Sequence, residues 1–373
     1  MYFGCLNKSD YICNYNKFVY TMIKFHDVKT TDRELVQSYT LCSDRQNCDL
    51  SFANIISWRF LYNTQIAEVD GFLVFRFYIG HHLAYMAPVW KGEWNELMSE
   101  PFAKVVRQMR DDSITLGHPF LMLGVCTNMV EILESIFPDT FYIKPDRDYF
   151  DYIYTREKLA TLAGKKLQSK RNHCNRFRKT YPNYEYRPLT KDMIPECLAV
   201  EANWRTVTKE DNNEEEELSE ELRSMTRVFE LWDEVGALGG TIWVDGKLIA
   251  FTFGCPITNR TFDVCVEKAD TAYEGAFSII NQEFAMHLPE QYEYMNREED
   301  LGLEGLRYAK LSYKPDILLE KNVVMEKLPL AQEENQERIK EETISLWRDT
   351  FHDPEAFIEL YFSRVFKPEY NVT

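Results

Sequence analysis

Between Tyr294 and Pro315 the chain reads Tyr-Met-Asn-Arg-Glu-Glu-Asp-Leu-Gly-Leu-Glu-Gly-Leu-Arg-Tyr-Ala-Lys-Leu-Ser-Tyr-Lys-Pro, with eight charged residues set among apolar ones. That mixture suits a segment gripping a charged, extended ligand better than a plain surface loop. If Tyr294–Asn296 is a strand running on to Glu298, Asn296 and Glu298 share one face and Arg297 takes the other. Gly302 and Gly305 permit a sharp turn with positive φ. Arg307 and Lys310 stand three apart, so on a helix they project together and would clamp a carboxylate or phosphate. Glu298 or Asp300 would act as general base toward an attacking amine, and Tyr313 would protonate the leaving group. The competing reading is an ion-pair network that fastens a short helix to a sheet. None of the seven histidines falls near these segments, so direct attack on a thioester or ester fits better than a covalent intermediate.

A second segment, Thr261 to Asn281, carries a different chemistry. A strand is expected to end near Glu267 and a helix to begin near Gly275, which brings Ala276 and Ser278 to a helix N-terminus. Free N–H groups and the helix dipole attract an anion there. Lys268 would add a mobile positive charge, and Tyr273, Gly275 and Ala276 form a degenerate phosphate loop, Tyr-Glu-Gly-Ala. Asn281 falls on the apolar stripe Phe277, Ile280, Phe284 and Leu288. A buried amide without partners costs roughly 1–3 kcal/mol, so Asn281 faces either a neighbouring strand or a ligand. Glu267 joins Asn281 and Asn296 as a candidate substrate contact.

These residues need elements to hold them, and the composition supplies enough core. At 373 residues, 45% hydrophobic and 14% aromatic, the chain is long enough for two or three domains. A net charge of −17 argues against non-specific coating of nucleic acid. Nine cysteines at irregular spacings, with no CxxC, read as reduced thiols of a cytoplasmic protein. His81 and His82 are expected on opposite faces of a strand, and no metal site is expected. The N-terminus lacks a basic and apolar leader pattern, and no apolar run approaches the ~20 residues of a spanning helix. Residues 1–21 read as an extension before a start near Met22.

Periodicity predicts an α+β chain in which two halves share one rhythm. Residues 22–155 give helices over Arg33–Tyr39 and Phe52–Arg59, then strands Thr64–Val69, Phe72–Tyr78 and Leu83–Met86 with an Asp70-Gly71 turn. A helix, strand, helix and further strands follow, up to Tyr154. Residues 184–330 repeat the order: strand, helices, a three-strand meander from Gly240 to Val266, helix Gly275–Leu288, strand Glu293–Asn296, helix Glu304–Leu311 and a final strand pair, Ile317–Glu326. Residues 156–183 form a basic helical linker, with nine Lys/Arg against Glu157 between Arg156 and Lys179. It is either a solvated face or a phosphate contact. Lys209–Glu221 is acidic and reads as a solvated loop. Residues 331–373 form a helical tail, packed on the second half or opening a further acyltransferase-like unit.

That order, strand, helices, antiparallel meander, helix, strand, helix, strand, is the order of the GNAT (acyl-CoA N-acyltransferase) fold, read twice. In that fold the 268–278 loop is where the pyrophosphate of an acyl-CoA lies. The residues also resemble a bacterial family grouped with the phosphatidylglycerol lysyltransferase C-terminal domain. The resemblance is carried by Phe262-Asp263, Glu267-Lys268-Ala269-Asp270, Tyr273 to Phe277, Asn296 to Gly302, and Leu306-Arg307 to Tyr313. Asp49 to Asn54 with Trp58-Arg59 resembles its N-terminal signature. The resemblance implies a tandem GNAT-like architecture, similar to Fem-type aminoacyltransferases, with the active site in the second domain. It implies transfer of an acyl or aminoacyl group from acyl-CoA or aminoacyl-tRNA, with no permanently bound cofactor. The acceptor would be an amine or hydroxyl on a small molecule, peptide or lipid, and tRNA would contact 156–179. The other class open to the sequence is a non-catalytic binding or regulatory module on the same scaffold.

Overall fold

The computed structural model describes residues 22–208, 215–327, 336–351, 353–364 and 366. The N-terminal extension and residues 209–214 of the acidic stretch lie outside the described residues, and residues 215–221, expected as loop, belong to the helix Glu215–Glu230. In chain order the strands are β1 (His26–Asp27), β2 (Gln65–Val69), β3 (Phe72–Ile79), β4 (His82–Tyr85), β5 (Leu121–Cys126), β6 (Phe141–Pro145) and β7 (Asp151–Thr155). They continue with β8 (Glu185–Pro188), β9 (Leu238–Val244), β10 (Lys247–Pro256), β11 (Thr261–Ala269), β12 (Tyr294–Asn296), β13 (Ile317–Leu319) and β14 (Lys321–Glu326).

Two seven-stranded sheets result, ordered β1-β2-β3-β4-β5-β14-β6 and β13-β7-β12-β11-β10-β9-β8. Each contains an antiparallel meander followed by a parallel neighbour, β4 with β5 and β11 with β12. This is the expected tandem GNAT-like order. The hairpin turns are written in the sequence. Asp70 and Gly71 have φ of 49° and 84°, and Asp245 and Gly246 have 48° and 78°. Positive φ at both central residues matches the right-handed twist of the flanking strands, which is why Asp-Gly sits there.

The halves are not independent in space. β7 follows β6 in sequence but pairs with β12 and β13 of the second sheet. β14 follows β13 after one residue, Glu320, but pairs with β5 and β6 of the first. The expected final strand pair over Ile317–Glu326 is therefore two strands in different sheets. A division at 155 and 184 describes the repeat in the sequence, and the sheets exchange one strand across it. Hydrophobic periodicity reveals that a strand has a buried face, but not which neighbour it hydrogen-bonds to.

One core is shared by both halves: Val36, Phe52, Ile56 and Phe75 lie in the same buried cluster as Phe229, Phe251 and Phe253. The outer faces of the two sheets carry separate cores. The tail helices, Gln336–Phe351 and Glu355–Arg364, place Trp347 5.8 Å from His82 and Phe351 5.5 Å from it, ring centre to ring centre. His81 lies 6.4 Å from Phe351 as well. The two histidines thus serve one aromatic contact, and the tail meets the first sheet rather than the second half. Among the described residues no helix is long and apolar enough to cross a membrane.

Candidate active site

The strand exchange creates a buried ionic node. β7 opens on Asp151 and β14 on Lys321, and both of these charged first residues are buried. The Lys321 ammonium lies 2.8 Å from Asp151, 2.8 Å from Asp49 and 2.6 Å from Glu299. Burial opposes the charge on Lys321, but Asp151 and Asp49 outweigh it and hold the amine protonated. Burial pushes Asp151 up to about 6 despite Lys321, helped by Glu299 and Asp49. Cys48 donates its N–H to Asp151 at 2.8 Å, and burial, Asp151 and Glu299 keep its thiol strongly protonated.

Next to this node Glu298 is held in place from three directions. Its N–H donates to Asn296 Oδ1 at 2.7 Å, its carbonyl accepts from Tyr152 N–H at 3.2 Å, and its Oε1 accepts from Asn54 Nδ2 at 2.8 Å. Its φ is 55°, a left-handed conformation that L-residues with a long side chain avoid. Such strain persists only where surrounding contacts over-determine it, and it collects at functional positions. Burial, then the charge of Glu299, raise the Glu298 carboxyl to about 8. The same Asn54 amide reaches Asp263 Oδ2 at 3.0 Å, and Asp263 is pushed well up by burial and by Glu298. Asn296 closes the arrangement, giving Nδ2 to Asp151 and to the Gln46 carbonyl, each at 2.8 Å. Asn54 and Glu298 are 244 residues apart, so the site is assembled from both halves.

Asp300, the other proposed base, is placed differently. It is buried and accepts from Arg147 at 3.0 Å, Arg307 at 2.9 and 2.7 Å, Tyr152 O–H at 2.5 Å and Gly302 N–H at 3.0 Å. Burial opposes its ionisation, but these donors win and hold the carboxyl far below the ordinary range. A carboxylate so satisfied is a poor proton acceptor and a firm anchor for the loop. Arg307 and Lys310 do not form a common clamp. Arg307 pairs with Asp300 and Asp148, whereas Lys310 is buried and donates to the Glu299 carbonyl. Both fasten the helix Glu304–Ser312 to the base-bearing loop. Replacing Arg307 by Ala is expected to lower stability only slightly, because Arg147 and Tyr152 stay on Asp300. Asp300→Ala removes the buried acceptor shared by Arg147, Arg307 and Tyr152 and is expected to cost about 3 kcal/mol. Urea unfolding of both variants checks the order.

A second group of residues gathers where β11 and β12 part. They pair only from Thr261–Tyr294 to Asp263–Asn296, after which β11 continues to Ala269 while the other chain turns away at Arg297. Into this opening fall Glu267, Asn281, Arg297, Tyr313 and Lys170. Arg297 bonds Glu267 at 3.0 Å and lies 5.1 Å from the Tyr313 ring centre. Asn281 gives Nδ2 to the other Glu267 oxygen at 3.1 Å, while its own Oδ1 is buried without a donor. Lys170 Nζ sits 4.3 Å over the Tyr313 ring, and burial together with Arg297 lowers its proton affinity. Burial raises the Tyr313 hydroxyl to about 12, with Ser278 as its hydrogen-bond neighbour.

The expected phosphate loop is not built as the sequence suggested. β11 runs through Lys268, whose ammonium is buried 3.5 Å from the Trp204 ring centre and 2.8 Å from Glu221. It is not a mobile charge. Gly275 has φ of 89°, and a Cβ there would stand 3.2 Å from the His173 carbonyl. The helix Gln168–Thr180 from the basic linker therefore lies over this helix start. Tyr273 meets Tyr181 as a tilted ring pair, 5.4 Å between centres, and Ala276 is buried. Of the five residues proposed for an acyl-CoA, Ser278 lies beside the Tyr313 hydroxyl.

Much of the linker's charge is also spent internally. Arg176 pairs with Glu274, Arg178 with Glu283 and Lys158 with Asp316, while Arg171 bonds the Leu162 and Gly164 carbonyls. Two sets of side chains, Cys48–Asp49–Glu299 and Asp263–Cys265–Glu298, have ligand-type atoms within 4.8 Å of one another. In the first, the Lys321 ammonium already lies among the acidic groups. A groove of about 390 Å³ lies elsewhere, along the helix Glu215–Glu230, lined by Leu222, Arg223 and Arg227 among others. None of the residues above lines it.

The reading of the sequence did not assign Asp49, Asn54, Asp151, Lys321, Asp263, Arg297 or Lys170 to the site. The available signal was polarity in apolar surroundings: Asp151 heads the strand Asp-Tyr-Ile-Tyr-Thr, and Asp263 stands between Phe262 and Val264. Comparisons with known proteins agree with this architecture. A conserved protein of Bacteroides thetaiotaomicron is 51% identical, with a TM-score of 0.77, covering 82% of this chain and all of its own. The C-terminal domain of a putative lysylphosphatidylglycerol synthetase from Agrobacterium fabrum shares the fold at 12% identity and a TM-score of 0.57, covering 79% of this chain and 92% of its own. A curated Mycoplasmoides gallisepticum protein is 24% identical over 177 residues, which is 47% of this chain and 55% of that relative. Residues 42–324 match the profile of the phosphatidylglycerol lysyltransferase C-terminal family, so the chain belongs to that family.

Proposed function

We propose that this protein transfers an aminoacyl group from an ester donor to an amine, with Glu298 as general base. The observation that carries the choice of donor is the pair Glu267 and Asn281. Asn281 Oδ1 is a buried acceptor with no donor, on an amide bonded to the Glu267 carboxylate. An unsatisfied buried acceptor costs roughly 1–3 kcal/mol, which an incoming ammonium or amide N–H would recover. A plain acyl chain offers no such donor. The covered start of the helix Ala276–His287 and the buried Lys268 weigh in the same direction, because a CoA pyrophosphate needs free N–H groups and a free cation.

In the proposed step the acceptor nitrogen attacks the ester carbonyl carbon and Glu298 takes its proton. The carbon–oxygen bond to the donor breaks, and Tyr313, which holds its proton at neutral pH, protonates the departing oxygen. A base with an affinity near 8 is well matched to an ammonium that must be deprotonated near neutrality. Asp300, Arg307 and Lys310 position the loop. The acceptor is an amine on a small molecule, peptide or lipid.

Ligand-induced stabilisation tests the reading. A non-hydrolysable aminoacyl-adenosine amide is expected to stabilise the protein by about 2.7 kcal/mol at a hundredfold excess over its Kd. Asn281→Leu should remove that stabilisation. Stabilisation by CoA with none by the aminoacyl analogue would overturn the assignment of the donor.

A further inference from the structure

The first sheet parts much as the second does. β4 pairs with β5 only at Tyr85 and Met122, although β5 runs on to Cys126. Beyond Tyr85 the other chain keeps its bonds to β3, with Met86 N–H on the Phe75 carbonyl and Val89 N–H on the Leu73 carbonyl. The carbonyls of Ala87 and Pro88 accept from Arg45 Nη1, at 2.9 and 3.2 Å. A guanidinium thus meets this chain where β5 no longer does.

Arg45 is 2% exposed, and its Nε and Nη2 are buried without an acceptor. Those two atoms carry three of the five N–H groups of a guanidinium. Among the described residues no carboxylate pairs with it. The acidic side chains whose charge reaches it are Cys126, Asp44 and Asp49. Burial pushes the Cys126 thiol up to about 11, so it is neutral. Asp44 is exposed, and Asp49 lies 2.8 Å from the Lys321 ammonium. Trp90 Nε1, two residues past Pro88, is also buried without an acceptor. Arginine keeps its proton inside a protein, so a buried one calls for a negative partner.

We propose that Arg45 holds a buried monovalent anion of the chloride class. A water accepts hydrogen bonds but leaves the charge unopposed. Phosphate would carry a second charge into the interior, and an organic carboxylate would carry a bulky remainder. Chloride brings a single charge and accepts N–H groups from any direction. Arg45 also opens the segment that reaches the ionic node. Asn47 Nδ2 donates to Asp49 at 3.1 Å, and Cys48 N–H donates to Asp151 at 2.8 Å. An anion at Arg45 would therefore steady the segment on which the node is built. The inference stands whatever group the protein transfers.

Thermal unfolding of the full-length protein in sodium chloride, sodium bromide and sodium gluconate, at one ionic strength, tests it. Gluconate is too large for the seat. Chloride and bromide should raise the midpoint over gluconate by about 2 °C or more, and the gain should saturate with halide concentration. Arg45→Met should erase the difference between the salts. Crystals of the unaltered protein grown in bromide should show anomalous signal beside the Arg45 guanidinium, which decides the matter even where Arg45→Met does not fold. Equal midpoints in the three salts, a difference that survives Arg45→Met, or bromide crystals without that signal would each overturn the proposal.

Discussion

Glu298→Gln is expected to reduce aminoacyl transfer by about 10²–10⁴-fold, the range supplied by a positioned general base. It is also expected to make the protein more stable at alkaline pH. The sign follows from burial and Glu299, which raise the folded carboxyl to about 8, whereas the unfolded chain titrates near 4.5. Between those values the folded protein holds a proton that the unfolded chain has released. Glu298 therefore favours folding below the lower value, and that contribution is lost as pH rises through the upper one. Glutamine never ionises. Each tenfold change in proton affinity is about 1.4 kcal/mol, so the span from 4.5 to about 8 sets an upper limit of roughly 5 kcal/mol on the gain expected above pH 8. In the wild type, kcat/KM should climb through about pH 8. Retention of transfer within a few-fold by the glutamine variant would remove Glu298 from the mechanism, and urea unfolding on either side of that pH reads the stability change.

Lys321→Met should be among the most destabilising single replacements, by about 3–5 kcal/mol, because it leaves buried carboxylates without their cation. Three acidic side chains surround that ammonium within 2.8 Å, and Lys321 itself is buried. The loss should be larger above about pH 6, where Asp151 ionises, than below it. Adding Asp151→Asn to Lys321→Met should restore more than about 1 kcal/mol, since residues in one ionic network couple by 0.5–3 kcal/mol. Denaturant midpoints of the two single variants and the double variant measure that coupling. Additive losses would mean that the strand exchange is held by the shared apolar core alone.

The site is also where the sequence was most and least legible. Asn296, Glu298 and the glycine-bearing turn stood out because so many charges rarely sit beside apolar residues without a use. The raised affinity of Glu298 could not be read there, because it comes from burial and from Glu299 in the folded chain. Nor could the contrast with Asp300, two residues on. Arg147, Tyr152 and Arg307 converge on Asp300 from three places in the chain, while Glu298 receives one amide from Asn54. Two similar side chains were separated by their neighbours alone. The anion-binding loop misled for the same reason: a helix start looks available until another helix covers it.

By itself the sequence determined the local elements and their repeated order, since hydrophobic period, Asp-Gly turns and glycine positions act over a few residues. It also marked the segment around Glu298, through its density of charge. The tertiary structure alone decided that β7 and β14 change sheets, that Asp151 and Lys321 meet there, and that Asn54 reaches Glu298 from the other half. Strand pairing and charge burial depend on residues hundreds of positions apart, and no local pattern encodes which of them will be brought together.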